Sequence, residues 1–247
     1  MPERRRANWS PSPEIKNYYL STTVLNYLSH YYCEYPEDRP YYVLGLILPD
    51  LLRELEPRKI RFLPEELQDS ENDNFTQLNR GILRHLEVDG AFHTSEFFHR
   101  NVEQIKQWLL LHTYVSIPSR IPVFAHVLLE LMLDRVIIKR DPNSMECFYA
   151  ALEQVEEAVV VSFFQQNGIV QRPQAVYQRV RYFCKDRFLY RYPGNDMMLY
   201  ALNVLNQKVG QSVIAAEDEL LLLETIERTE LLLNGDALTI FDELRPT

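Results

Sequence analysis

Ala125-His126-Val127-Leu128-Leu129-Glu130-Leu131-Met132-Leu133-Asp134-Arg135 is an apolar run broken by a polar residue at every fourth position. A strand alternates every second residue, so this spacing belongs to an α-helix. The run extends from Arg120 to Ile138 and its polar stripe is flanked by Phe124, Val127, Leu128, Leu129, Leu131, Met132 and Leu133. Apolar residues on so much of its circumference predict a helix buried inside a helical protein. His126, Glu130 and Asp134 then share one face at i, i+4 and i+8. Charges in such a helix need partners or a metal ion, because an unpaired buried charge is very costly.

The same spacing recurs upstream. His85, Asp89 and His93 lie at i, i+4 and i+8 in a helix predicted from Phe75 to His93. Imidazoles and a carboxylate converging on one helix face suit a transition metal of the Mn, Fe or Zn type. Two further candidates precede them. His30 ends an aromatic helix predicted from Ile15 to Tyr32, and Asp50 follows Pro49 in the apolar stretch Tyr41 to Leu55, where two helical segments could meet. A single ion rarely needs so many residues. Some of them are expected to orient the ligands, or a second ion is present. His99 and His112 have no acidic partner spaced along their own helix face and read as ordinary histidines. Asp134, near the helix end, has the alternative of pairing with Arg135 or Arg140.

The rest of the chain keeps the helical period. Helices are expected at Ser95 to Leu111, from Ser144 (as cap) to about Asn167, from Asp196 to Val209, and as an acidic amphipathic helix or pair of helices from Ala215 to Glu243, split at Asn234-Gly235. No stretch alternates as a strand does. The reading is all-α: residues 1–14 a disordered tail, 15–210 a single metal-binding helical bundle, 211–247 a C-terminal amphipathic helical extension whose Leu220 to Leu233 stripe is core or a dimer contact.

Composition removes other classes. Gly numbers only 7 in 247 residues, and neither GxGxxG nor GxxxxGK[ST] occurs, which leaves dinucleotide-binding and P-loop chemistry without support. Cys33, Cys147 and Cys184 are odd in number and widely spaced, as in a reducing compartment. No apolar run approaches a membrane span, and the basic Arg4, Arg5 and Arg6 precede no apolar segment, so the cytoplasm is expected. A net charge of -9 disfavours nucleic acid as a main partner. Against that charge, Arg179 to Arg191 is a basic, aromatic stretch. Its Arg181, Lys185 and Arg187 are candidate phosphate-binding residues, with a solvated helix face as the alternative.

Five segments, in order, resemble the acyl-carrier-protein phosphodiesterases, distant relatives of the HD-domain metal phosphohydrolases. Asn26-Tyr27-Leu28-Ser29-His30 resembles that family's N-[YF]-L-A-H. Gly45 to Asp50 keeps the Gly and Asp of G-N-L-L-x-D. Gly81 to His93 keeps the Gly, Ile, His and first Asp of G-I-x-x-H-R-x-I-D-x-x-T-D. Ala125-His126-Val127-Leu128 resembles D-H-x-L, and Phe188 to Val209 the closing segment. The resemblance covers about residues 25–210 and implies an HD-domain-like bundle. It also implies a divalent ion, usually manganese, that activates water to cut a phosphodiester. Departures fall at Leu46, Leu86, His93 and Ala125, where the family has Asn, Arg, Asp and Asp; Glu130 or His93 could replace the last as ligand. The runs G-x-x-x-P-D and H-x-x-x-D-x-x-x-H are also similar to the zinc-dependent phospholipase C and P1-nuclease type.

The expected ligands are therefore His30, Asp50, His85, Asp89, His93, His126 and Glu130, with Asp89 or Glu130 as base. The expected activity is hydrolysis of a phosphoester. Acyl carrier protein, itself acidic, is disfavoured as substrate by charge. The alternatives are a scaffold that keeps the bundle without catalysis, and an adaptor that dimerises through its C-terminal helix.

Overall fold

The computed structural model describes residues 27–55, 67–117, 121–167, 172–208, 210–235 and 237–245. Among them every regular element is helical: α1 Tyr27–Tyr32, α2 Pro40–Leu55, α3 Asp73–Thr94, α4 Glu96–Leu110, α5 Ile121–Arg140, α6 Pro142–Glu153, α7 Glu157–Asn167, α8 Pro173–Asp186, a 3-10 turn Phe188–Arg191, α9 Asn195–Lys208, α10 Ala216–Leu233 and α11 Thr239–Leu244. The all-α expectation holds. No helix among the described residues is long and apolar enough to cross a membrane. The expected tail 1–14, and the part of the first helix before Tyr27, lie outside the described residues.

The opening stretch forms the central helix. α5 buries Phe124, Ala125 and the whole run Leu128 to Ile138. It can do so because α1, α4, α6, α9 and α10 pack around it. Residues beyond 210 join the same core: Leu222, Ile226, Leu233, Ile240, Phe241 and Leu244 are buried in one cluster with the α5 residues, while Leu220 and Leu231 stay exposed. Arg84 on α3 ties down the end of α11, donating to the Leu244 carbonyl while it pairs with Glu34 at 2.6 Å.

Two expected breaks move. Pro49 does not divide two segments but lies inside the continuous helix α2. Its missing N–H would have bonded the carbonyl of Gly45, and tertiary packing keeps the helix on course across that gap. Conversely, the helix expected from Ser144 to Asn167 is two helices. Asp141 caps the first by accepting from the Ser144 N–H at 3.3 Å, Pro142 takes the first turn, and the chain turns at Gln154-Val155-Glu156. Val155, only 2% exposed, is drawn into the core at that turn.

The most extensive packing joins α2 to α3. The two helices meet at Gly45 and Gly81. A Cβ on Gly45 would stand 2.5 Å from the Leu78 carbonyl oxygen and 2.8 Å from the Gly81 Cα. Backbone touches backbone here, and only glycine leaves the room. The crossing lies five residues before Asp50 on one helix and four before His85 on the other, so it brings those two side chains together.

Candidate metal centre

The seven expected ligands do not form one site. His30, Asp50 and His85 offer ligand atoms within 4.8 Å of one another, and so, separately, do His93, His126 and Glu130. Asp89 lies between the two groups. It contacts His93 and its charge acts on both His30 and His85. This spread follows from the helix. His85 and His93 are eight residues apart on α3, about 12 Å of rise, too far for one ion.

The first group is buried. His30, Asp50 and His85 are 3%, 4% and 1% exposed. Asp50 aims one carboxylate oxygen at each histidine: Oδ2 is 3.9 Å from His30 Nε2 and Oδ1 is 3.9 Å from His85 Nε2. The two imidazoles stack with centroids 4.0 Å apart. These separations exceed a hydrogen bond and are wider than the spacing of neighbouring ligands on one ion, so a bound ion would draw the three side chains inward. His85 Nδ1 lies 2.7 Å from the Leu46 carbonyl oxygen. A carbonyl only accepts, so Nδ1 carries a proton and Nε2 is the nitrogen that faces Asp50, the usual orientation of a metal-ligating histidine. Two imidazoles and a carboxylate suit a d-block divalent ion, so the donor set fits a metal. Ser29, His30, Cys33, Val88, Phe92 and Leu133 line a cavity of ≈ 10 Å³ beside it, enough for about one water.

The second group sits at the rim. The side chains of His93, His126 and Glu130 are 28%, 37% and 7% exposed. His93 Nε2 is 2.9 Å from His126 Nε2 and 3.4 Å from Glu130 Oε1, and His126 Nε2 is 2.9 Å from the same oxygen. His93 Nδ1 faces the Asp89 carbonyl at 2.8 Å and the Asp89 carboxylate at 3.2 Å. Hydrogen bonds to Asp89 and then Glu130 raise the His93 pKa to about 10 against the cost of burial. Burial alone would raise the Asp89 and Glu130 carboxyls. The imidazole partners outweigh it, holding Asp89 down at about 2 and Glu130 below its ordinary value. Asp89 is therefore an ionised carboxylate, partly open to solvent, beside both groups.

The grouping corrects the single-site expectation. His126 joins His93 and Glu130, not His30, Asp50 and His85. Asp134 joins neither group and does not pair with Arg135 or Arg140. It is fully buried and accepts from the Ser29 N–H at 2.7 Å, the Leu28 N–H at 3.2 Å and the Ser29 hydroxyl at 2.6 Å. Those are first-turn donors of α1, so Asp134 caps from another helix the six-residue element that carries His30. Arg135 pairs instead with Glu230 at 2.9 Å, and Arg140 reaches the Asn234 carbonyl. Arg187 is engaged with Glu153 at 2.7 Å and over the Tyr149 ring, and Arg181 donates to the Glu153 carbonyl at 3.2 Å. Both are thereby tied to α6; Lys185 is exposed on α8, as Arg181 is, and Arg187 lies just past the end of that helix. His99 is exposed and His112 lies 3.8 Å from Glu224.

Two contributors had no signal in the sequence. One is the Leu46 carbonyl, a backbone group. The other is Phe98, whose ring packs edge-on against His93 and His126 with centroids 4.8 and 5.0 Å away. No family profile, no curated protein and no solved structure matches this chain.

Proposed function

We propose that this protein is a metal-dependent phosphoester hydrolase with an HD-domain-like bundle, of the kind the acyl-carrier-protein phosphodiesterase resemblance implies. The observation that carries the reading is the buried His30–Asp50–His85 group with ionised Asp89 one turn further along α3. His30, Asp50 and His85 would hold the ion, with manganese favoured by the resemblance and iron or zinc accepted by the same donors. When bound, such an ion lowers the pKa of water and offsets charge on phosphoryl oxygens. The chain's own groups supply the rest. Leu46 fixes the His85 tautomer, Asp50 faces the Nε2 atom of each imidazole with one oxygen, and Asp89 accepts the proton of the attacking water. Asp89 is also the member that solvent reaches, with its side chain 38% exposed, so substrate approaches from the rim.

Asp89→Asn should keep its metal and lose about 10²- to 10⁴-fold in kcat on a generic diester such as bis(p-nitrophenyl) phosphate. Asp50→Ala should lose both metal and activity. Full activity in Asp89→Asn would remove the base assignment. A metal-loaded wild type that cleaves no phosphoester would leave the scaffold reading, which the small cavity beside His30 favours.

The substrate in this reading is a small phosphoester rather than acyl carrier protein. The net charge is -9, and the arginines that could form a landing face are engaged on α6. Holo-carrier should release phosphopantetheine slowly at low salt. Rapid release that slows as salt rises, and that is lost in the double variant Arg181→Glu, Arg187→Glu, would restore the carrier as substrate.

A further inference from the structure

We propose that His93, His126 and Glu130 form a second cation site, selective for a d-block divalent ion of the zinc type. It stands apart from the buried group and does not depend on the hydrolase reading. The three ligand atoms form a triangle with sides of 2.9, 2.9 and 3.4 Å. Ligands bound at about 2.1 Å lie about 3.0 Å apart in an octahedron and about 3.4 Å apart in a tetrahedron. The triangle is therefore one face of a coordination shell already assembled.

Hydrogen-bond direction supports the same conclusion. His93 Nδ1 faces a carbonyl, which can only accept, so it carries a proton, and Nε2 is the nitrogen left to face His126. Two imidazole nitrogens 2.9 Å apart, both beside a carboxylate oxygen, repel unless a cation sits among them. A proton can fill that place, and a divalent ion fills it with more charge and the same geometry. Two imidazoles and one carboxylate favour zinc, cobalt, nickel or iron over magnesium or calcium, which prefer oxygen ligands. Phe98 packs against both rings and holds their orientation.

The site differs from the buried one in access. With His93 and His126 side chains 28% and 37% exposed, coordination positions remain open toward solvent. Open positions let such a site exchange its ion and accept an outside ligand. His93 belongs to α3 while His126 and Glu130 belong to α5, so a bound ion cross-links these two helices.

The test is metal stoichiometry with zinc alone as the probe. The full chain is stripped with a chelator, loaded with zinc, freed of excess and analysed. Wild type should hold two ions per chain, His126→Ala one and His85→Ala one. Asp50→Asn serves as the second buried-site variant in case His85→Ala does not fold. Cobalt added to His85→Ala or Asp50→Asn should give a visible d–d band that Glu130→Gln weakens on the order of 100-fold in affinity. One ion per chain in wild type, retained in His126→Ala and lost in His85→Ala, would overturn the rim site and leave the buried one standing. One ion lost in His126→Ala and kept in His85→Ala would do the reverse. Two ions retained in His126→Ala would also overturn the proposal.

Discussion

Gly81→Ala should lower the melting temperature by at least about 10 °C, while Gly90→Ala, nine residues along the same helix, raises it. A Cβ at Gly81 would fall against the Tyr42 carbonyl oxygen and 2.8 Å from the Gly45 Cα. Both neighbours are backbone, so no side chain can rotate away, and α2 and α3 must separate. Overpacking a core ordinarily costs about 1–3 kcal/mol, and a clash that moves two helices exceeds that range. At roughly 2–4 °C per kcal/mol for a chain of this size, about 4 kcal/mol gives the shift stated. At Gly90 a Cβ meets nothing within 4 Å. There the change only removes backbone freedom from the unfolded chain, worth about 0.5–1 kcal/mol in favour of alanine. Gly81→Ala should also release the buried ion, because separating the helices stretches the His85–Leu46 hydrogen bond and moves Asp50 away from His85. Thermal melts and zinc analysis of the two variants decide it. Equal melting temperatures would mean that the two helices do not cross at these glycines.

Asp134→Ala should be the next most damaging change, at about 3–4 kcal/mol. It strands the buried Leu28 and Ser29 N–H groups and the Ser29 hydroxyl, at about 1–3 kcal/mol for each unsatisfied group before relaxation. Because α1 carries His30, buried metal content should fall as well. A second signature is pH. Burial raises the Asp134 pKa to about 7, outweighing the hydrogen bonds from Ser29 and Leu28. An acid whose folded pKa is raised gives stability that is complete below its unfolded value, near 4, and is lost as pH rises toward 7. Wild type should therefore gain up to about 1.4 kcal/mol per pH unit relative to Asp134→Asn as pH falls from 7 to 4. Urea melts of the two proteins at pH 5, 6, 7 and 8 read this difference directly. A constant gap across that range would show that Asp134 stays ionised.

Much of the architecture was legible because helical period is a local property. The i, i+4, i+8 stripes identified α3 and α5, and Ser95 and Asn234 marked helix ends within a few residues, whereas the expected cap Ser144 lies inside its helix and Asp141 caps it. The two misplaced breaks share a cause. Pro49 is a strong local breaker that tertiary packing overrules, and Val155 is a residue with no breaking tendency that the core pulls into a turn. The candidate site was half legible. The six residues that gather into the two groups were all among those named from residue type, spacing and the family resemblance. Their partition could not be named in this way, because it depends on which helices face each other.

The sequence by itself determined that the chain is helical, that α5 is buried and that imidazoles and carboxylates line two helix faces, since each follows from spacing along one element. Tertiary structure alone decided that Asp134 caps α1 instead of holding an ion. It also decided that Gly45 and Gly81 let α2 and α3 touch, and that the histidines divide into a buried group and a partly exposed rim group. These outcomes rest on distances between residues 20 to 106 positions apart, set by the crossing of whole helices, and no local pattern encodes such a distance.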